Sequence, residues 1–202
     1  MIEWKPTPIQ ELALATTADE VLFGGSRGGG KTDTALQWLL YDSDKPALRG
    51  LVIRRNATDL EDFIDRARIK YSPLGAKVAG NPTVIKFPSG AMIYTGHLAT
   101  PDAYTKYQGW EIHRLLMEEV THIPTEKLYE KLLGSVRSTA EGIKTQVLLT
   151  TNPGGPGHEW VKDRFSIDSK PSKIKFADEI GRTRIYIQIG RASCRERVLF
   201  EV

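Results

Sequence analysis

Two rhythms of apolar residues alternate along the chain. EVLFGG (20–25) is a short apolar run stopped by glycines, the pattern of a buried strand. From Thr32 the spacing turns helical: in TDTALQWLLYD, Ala35, Leu36, Leu39 and Leu40 form one apolar face. LRGLVIRRN (48–56) is the next strand, followed by TDLEDFIDRARIKY as a helix, with Thr58 and Glu61 spaced as a capping box. TVIKFPSGAMIYTGH (83–97) breaks the rhythm, because two alternating runs flank Pro88-Ser89-Gly90 and predict a β-hairpin. HRLLMEEV (113–120) is a buried strand ending in two acids, TEKLYEKLLGSVRS (125–138) an amphipathic helix, and TQVLLTTNPGG (145–155) a buried strand entering a glycine-rich loop. Past Trp160 the periodicity weakens, and RTRIYIQI (182–189) reads as a strand or an edge strand. Strands alternating with helices predict an α/β domain with a mainly parallel sheet flanked by helices and carrying a hairpin insertion.

Composition narrows this little. At 202 residues the chain is long enough for one domain with a real core, and no second domain or repeat is visible. A net charge of +3 is low for a dedicated DNA-binding module. No apolar run approaches the roughly 20 residues that span a bilayer, so no membrane partner is expected. One cysteine excludes an internal disulfide and favours a reducing, cytoplasmic setting.

Candidate chemistry changes the picture more. Gly25-Ser26-Arg27-Gly28-Gly29-Gly30-Lys31-Thr32 fits G-x-x-x-x-G-K-[ST] and lies between a predicted strand and a predicted helix. Glycines let the backbone N–H groups wrap a phosphate chain, and the following helix offers its positive end to the same anion. Lys31 is placed to reach the β- and γ-phosphates of ATP, and the Thr32 hydroxyl to ligate Mg2+. Glu118 and Glu119 end a later buried strand. The first acid suits the Mg2+ shell, and the second suits orienting and deprotonating water.

Gln10 carries an amide able to read an adenine edge, although a lone glutamine is more often simply exposed. Arg27 is placed either to act as an arginine finger in cis or to pair with a nearby carboxylate. Arg54 and Arg55 end a strand and face ligand, a neighbouring subunit or solvent. The four histidines have no metal-ligand spacing.

Together GGSRGGGKT, Lys106-Tyr107-Gln108-Gly109, MEEVTHIP, LLTTNPGGPGHEWVKDRF and GRTRIYI resemble the ATPase domain of the large terminase subunit of tailed bacteriophages. The similarity runs from Trp4 to about Gln188. It implies an ASCE/RecA-like P-loop NTPase fold and an ATP-hydrolysing motor that packages double-stranded DNA. The partners it implies are the portal protein, the small terminase subunit and further copies in a ring, in the host cytoplasm and transiently on the procapsid portal. By the resemblance Gln10 contacts adenine, Glu119 is the catalytic carboxylate, and Thr150, Thr151 and Asn152 form the coupling motif. Glu118 stands where the family usually has Asp. The competing readings are a helicase-like DNA-dependent ATPase and a nucleotide-binding assembly module without turnover.

The expected boundaries are an ATPase domain over residues 1–188 and a tail over 189–202, with the family's RNase H-like nuclease domain absent. The tail contains Cys194, the only cysteine. Ile-Gly-Arg-Ala-Ser-Cys-Arg-Glu-Arg-Val (189–198) can be encoded as ATC GGA AGA GCG TCG TGT AGG GAA AGA GTG, which resembles a common sequencing adapter read in one frame. The expectation is a non-native tail, with Leu199 to Val202 left unassigned.

Overall fold

A computed structural model describes residues 4–189; the expected non-native tail lies outside the described residues apart from Ile189. One sheet organises the chain. In chain order its strands are β1 (Glu20–Gly25), β2 (Arg49–Arg54), β3 (Lys77–Ala79), β4 (Val84–Lys86), β5 (Met92–His97), β6 (Arg114–Met117), β7 (Gln146–Thr151), β8 (Phe176–Ala177) and β9 (Thr183–Ile189). Their spatial order is β3-β4-β5-β2-β6-β7-β1-β9-β8. The six strands from β5 to β9 in that order run parallel, and β3, β4 and β8 are antiparallel additions.

The helices are α1 (Pro8–Ala15), α2 (Lys31–Trp38), α3 (Glu61–Tyr71), α4 (Glu126–Leu133) and α5 (His158–Arg164). Strand alternation divides the core between the two faces of the sheet. Val21, Phe23, Val52, Leu116 and Leu148 pack in one cluster with residues of α2 and α3. Leu22, Leu51, Ile53, Leu115 and Leu149 pack in the other with residues of α4 and α5. Both faces of the central strands are covered, which is why those strands read as continuous apolar runs. Each fully buried Leu or Phe contributes roughly 1.5–3 kcal/mol of transfer free energy.

The expected hairpin is present as β4 and β5, and β3 extends it. The helix after β2 starts later than expected. Residues 57–60 form a 3-10 turn, so Thr58 lies inside it and the Thr58–Glu61 capping box does not form. Asn56, just ahead of that turn, instead donates from Nδ2 to Asp59. A capping box occurs at α1, where the Thr7 N–H donates to Gln10 Oε1 at 2.8 Å. β9 pairs with β1 along its length and with β8 at its start, so it continues the parallel sheet. Sequence periodicity does not reveal α5, because seven residues give too few turns for a periodic signal.

Candidate nucleotide site

The strand order brings three C-terminal strand ends together. β1 leads into the glycine loop, β6 ends one residue before Glu118, and β7 lies between them and ends at Thr151. This is the edge where parallel α/β sheets bind ligands. A cavity of about 630 Å3 opens there, lined by the 27–33 loop, Arg54, Arg66, Glu119, Thr121 and the 152–155 segment among others. That volume lies within the usual range of small-ligand sites, roughly 300–1,000 Å3.

Gly30 shows why this loop must be glycine-rich. It caps α2 at φ +75°, and a Cβ there would lie 2.6 Å from Gln10 Nε2. Lys31 folds back under the loop. Its Nζ donates to the carbonyls of Gly25 (3.3 Å) and Ser26 (2.8 Å) and to Asn152 Oδ1 (2.8 Å). Three acceptors match the three ammonium protons. Burial lowers the Lys31 pKa, opposed by the charges of Glu119 and Glu118.

Asn152 completes a bridge. Its Nδ2 donates to Glu119 Oε1 at 2.5 Å, and its N–H donates to Glu119 Oε2 at 3.3 Å. One amide therefore holds the phosphate-loop lysine with its oxygen and Glu119 with its nitrogen. Glu119 itself sits in left-handed backbone geometry at φ 52°, uncommon for a residue with a Cβ. Its N–H donates to Thr150 Oγ1 at 3.4 Å. Thr151 Oγ1 lies 2.9 Å from Thr121 Oγ1 and donates to the Asn152 carbonyl at 2.8 Å. Thr150 and Thr151 thus brace the Glu119 and Asn152 backbones.

Glu118 is buried and pairs with Arg54, whose Nε and Nη2 both lie 2.9 Å from Oε2. Burial pushes its carboxyl above the ordinary carboxylate range; Arg54 and a hydrogen bond with the Thr32 side chain oppose that rise. Thr32 and Glu118 are therefore near neighbours in the site. Ser26 Oγ is buried without a partner in the same loop. With the loop N–H groups, these donors fit a phosphate chain carrying a divalent ion.

The remaining candidates are placed as follows. Arg27, Gly28 and Gly29 line the cavity, with Arg27 exposed. Gln10 is buried and lies outside the cavity lining, with Oε1 on Thr7 N–H and Nε2 on the Gly30 carbonyl at 3.3 Å. It ties α1 to the loop, and one of its two amide protons remains beyond that bond. Sequence reading missed Arg54 as the partner of Glu118, and it missed Thr121 and Arg66 in the cavity wall. No local pattern distinguishes them from other strand-end or helical residues.

Comparison with known proteins identifies the fold. The large terminase of a thermophilic bacteriophage aligns with a TM-score of 0.67 at 16% identity, over 96% of this chain and 49% of that one. Its complex with ADP aligns at 0.64. The large terminase ATPase domain of Thermus phage P74-26 aligns at 0.63 with 15% identity, over 93% of this chain and 81% of that one. The fold is therefore that of the terminase ATPase domains, a P-loop NTPase fold. This chain spans about half the length of the first of these terminases. No curated protein matches the sequence. The family model for the phage terminase large subunit matches residues 18–188, and the chain belongs to that family.

Proposed function

We propose that this chain is the ATP-hydrolysing motor portion of a DNA-packaging terminase. The observation that carries the reading is the Asn152 bridge between Lys31 and Glu119. Lys31 leaves its loop carbonyls and Asn152 to bind the β- and γ-phosphates, while the loop N–H groups from Gly28 to Thr32 and the start of α2 hold the rest of the chain. Asn152, released from Lys31, then sets the Glu119 carboxylate on the attacking water, and Glu119 accepts its proton. Thr151 and Asn152 carry the change into the 153–157 segment and α5, coupling hydrolysis to movement. Arg27, exposed on the lip, supplies positive charge to the γ-phosphate, and Gln10 offers its remaining N–H to the base. Thr32 and Glu118 hold a divalent cation, which supplies charge to the phosphates when bound.

The substrate worked upon is double-stranded DNA. The portal protein, small terminase subunit and further copies in a ring are the assembly partners, within the host cytoplasm. One solved structure of this fold, aligning at a TM-score of 0.52, is described as a DNA-packaging motor, and another is a complex with ADP. Among the described residues, no helix is long and apolar enough to cross a membrane.

The test combines nucleotide binding and phosphate release. Lys31→Ala is expected to lose ADP binding. Glu119→Gln is expected to keep ADP binding while phosphate release falls by about 10^2 to 10^4. Wild-type turnover by Glu119→Gln would remove that residue from the chemistry. Forked-duplex unwinding would favour a helicase instead.

A further inference from the structure

Arg54 is the last residue of β2 and reaches across to the end of β6. Arginine and carboxylate commonly pair fork to fork, with one N–H on each oxygen. Here Nε and Nη2 both fall on Oε2 of Glu118, each at 2.9 Å. Oε1 is left outside the fork, on a carboxyl whose near neighbours include the Thr32 side chain. Both backbones are fixed: the Glu118 N–H donates to the Ile53 carbonyl at 2.9 Å, and the Leu98 N–H to the Arg54 carbonyl at 3.0 Å. The neighbouring Arg55 turns elsewhere, donating to the His122 carbonyl at 2.8 Å. Arg54 and Thr32 line the cavity, while Glu118 is buried just past the end of β6 and outside the lining.

We infer that Arg54 is a positioning residue: it ties back one oxygen of a glutamate side chain and leaves the other to join Thr32 around a divalent cation. This rests on the nucleotide reading of the site. Two methylenes give Glu118 more reach and more rotamers than aspartate would have at the same place. Holding Oε2 removes that freedom and sets how far the carboxylate extends toward Thr32. Partners of this kind typically govern metal affinity because they orient the ligand without touching the ion.

The probe is Mn2+, followed by the electron paramagnetic resonance of the free ion at saturating ADP, with ADP binding measured separately in EDTA. Arg54→Gln is expected to weaken Mn2+ binding about 10- to 100-fold, a larger loss than the one it causes in ADP binding in EDTA. Glu118→Asp shortens the side chain by one methylene and takes it out of the fork. Adding Arg54→Gln to that variant is therefore expected to shift Mn2+ affinity much less. An equal loss in both backgrounds, or none in the Glu118 background, would overturn the inference. Should Arg54→Gln fail to fold, Arg54→Lys keeps the charge but not the planar fork. Partial loss of Mn2+ affinity is then expected, and wild-type affinity overturns the inference. Absence of ADP binding by the wild type in EDTA would overturn the nucleotide reading and this inference together. ADP binding with no effect on Mn2+ sinks this inference alone.

Discussion

Asn152 joins two charged side chains from different elements. Its oxygen accepts from Lys31 and its nitrogen donates to Glu119, so the two charged groups are held apart and aligned by one amide. Asn152→Ala is expected to retain ADP binding and to reduce phosphate release about 10^2- to 10^3-fold, the usual cost of losing a preorganised polar group. Rapid-quench turnover checks this, and an unchanged rate would sever Asn152 from catalysis. Gly157 has a packing role at the same scale. A Cβ there would lie 2.1 Å from the Ile123 carbonyl oxygen and 2.5 Å from Trp160 Nε1. Gly157→Ala is expected to cost about 1–3 kcal/mol, read from urea unfolding. The glycine loop, Glu119 and Asn152 were legible from sequence because each belongs to a contiguous motif. Arg54 was not, because its partner is 64 residues away.

Between elements, a buried polar tie lies at the opposite end of β1 from the nucleotide loop. Glu20, the first residue of β1, accepts from Arg164 at the end of α5 through both oxygens, at 2.7 and 2.9 Å. Tyr129 of α4 donates to the same carboxylate at 2.8 Å, and its ring lies under the Arg164 guanidinium. α5 is thus anchored at its C-terminus to the strand whose other end carries the loop, while its N-terminus follows the 152–157 segment. Burial raises the Glu20 pKa, but Arg164, Tyr129 and Arg184 outweigh it, leaving the carboxyl below its ordinary value of 4.5. A lowered folded-state pKa contributes stability above the ordinary value, which is lost as pH falls through the folded one. Glu20→Gln is therefore expected to be about 1–3 kcal/mol less stable than wild type near pH 7, since buried Arg164 loses one of its two carboxylates and keeps Glu126 at 2.6 Å. That gap should narrow as the pH falls below 4.5. Urea melts at several pH values test this, and a pH-independent gap would refute the linkage. None of this hub was legible in the sequence: Glu20 opens an apolar run, and Arg164 lies in a stretch without periodicity.

At the scale of the whole molecule, the nucleotide cavity exists because β1, β6 and β7 end at one edge of a single sheet. A ligand seated there binds only the folded chain, so ADP should raise global stability by about 2.7 kcal/mol at a hundredfold excess over Kd. Thermal melts with and without ADP measure this shift, and Lys31→Ala should abolish it. A shift preserved in Lys31→Ala would place the nucleotide elsewhere. The two aligned phage terminases share this architecture at 16% and 15% identity, which fits a fold specified by buried strand pattern more than by particular side chains.

The sequence by itself determined the alternation of strands and helices, the hairpin, the phosphate loop and the two acids after β6. Those features depend on neighbours a few residues apart, where periodicity and turn chemistry act. Tertiary structure alone decided the strand order, the start of α3, the place of Gln10 against Gly30, the Arg54 clamp on Glu118 and the Glu20 hub. Each depends on groups brought together by chain crossovers, and local spacing holds no record of which distant charge or carbonyl will arrive beside them.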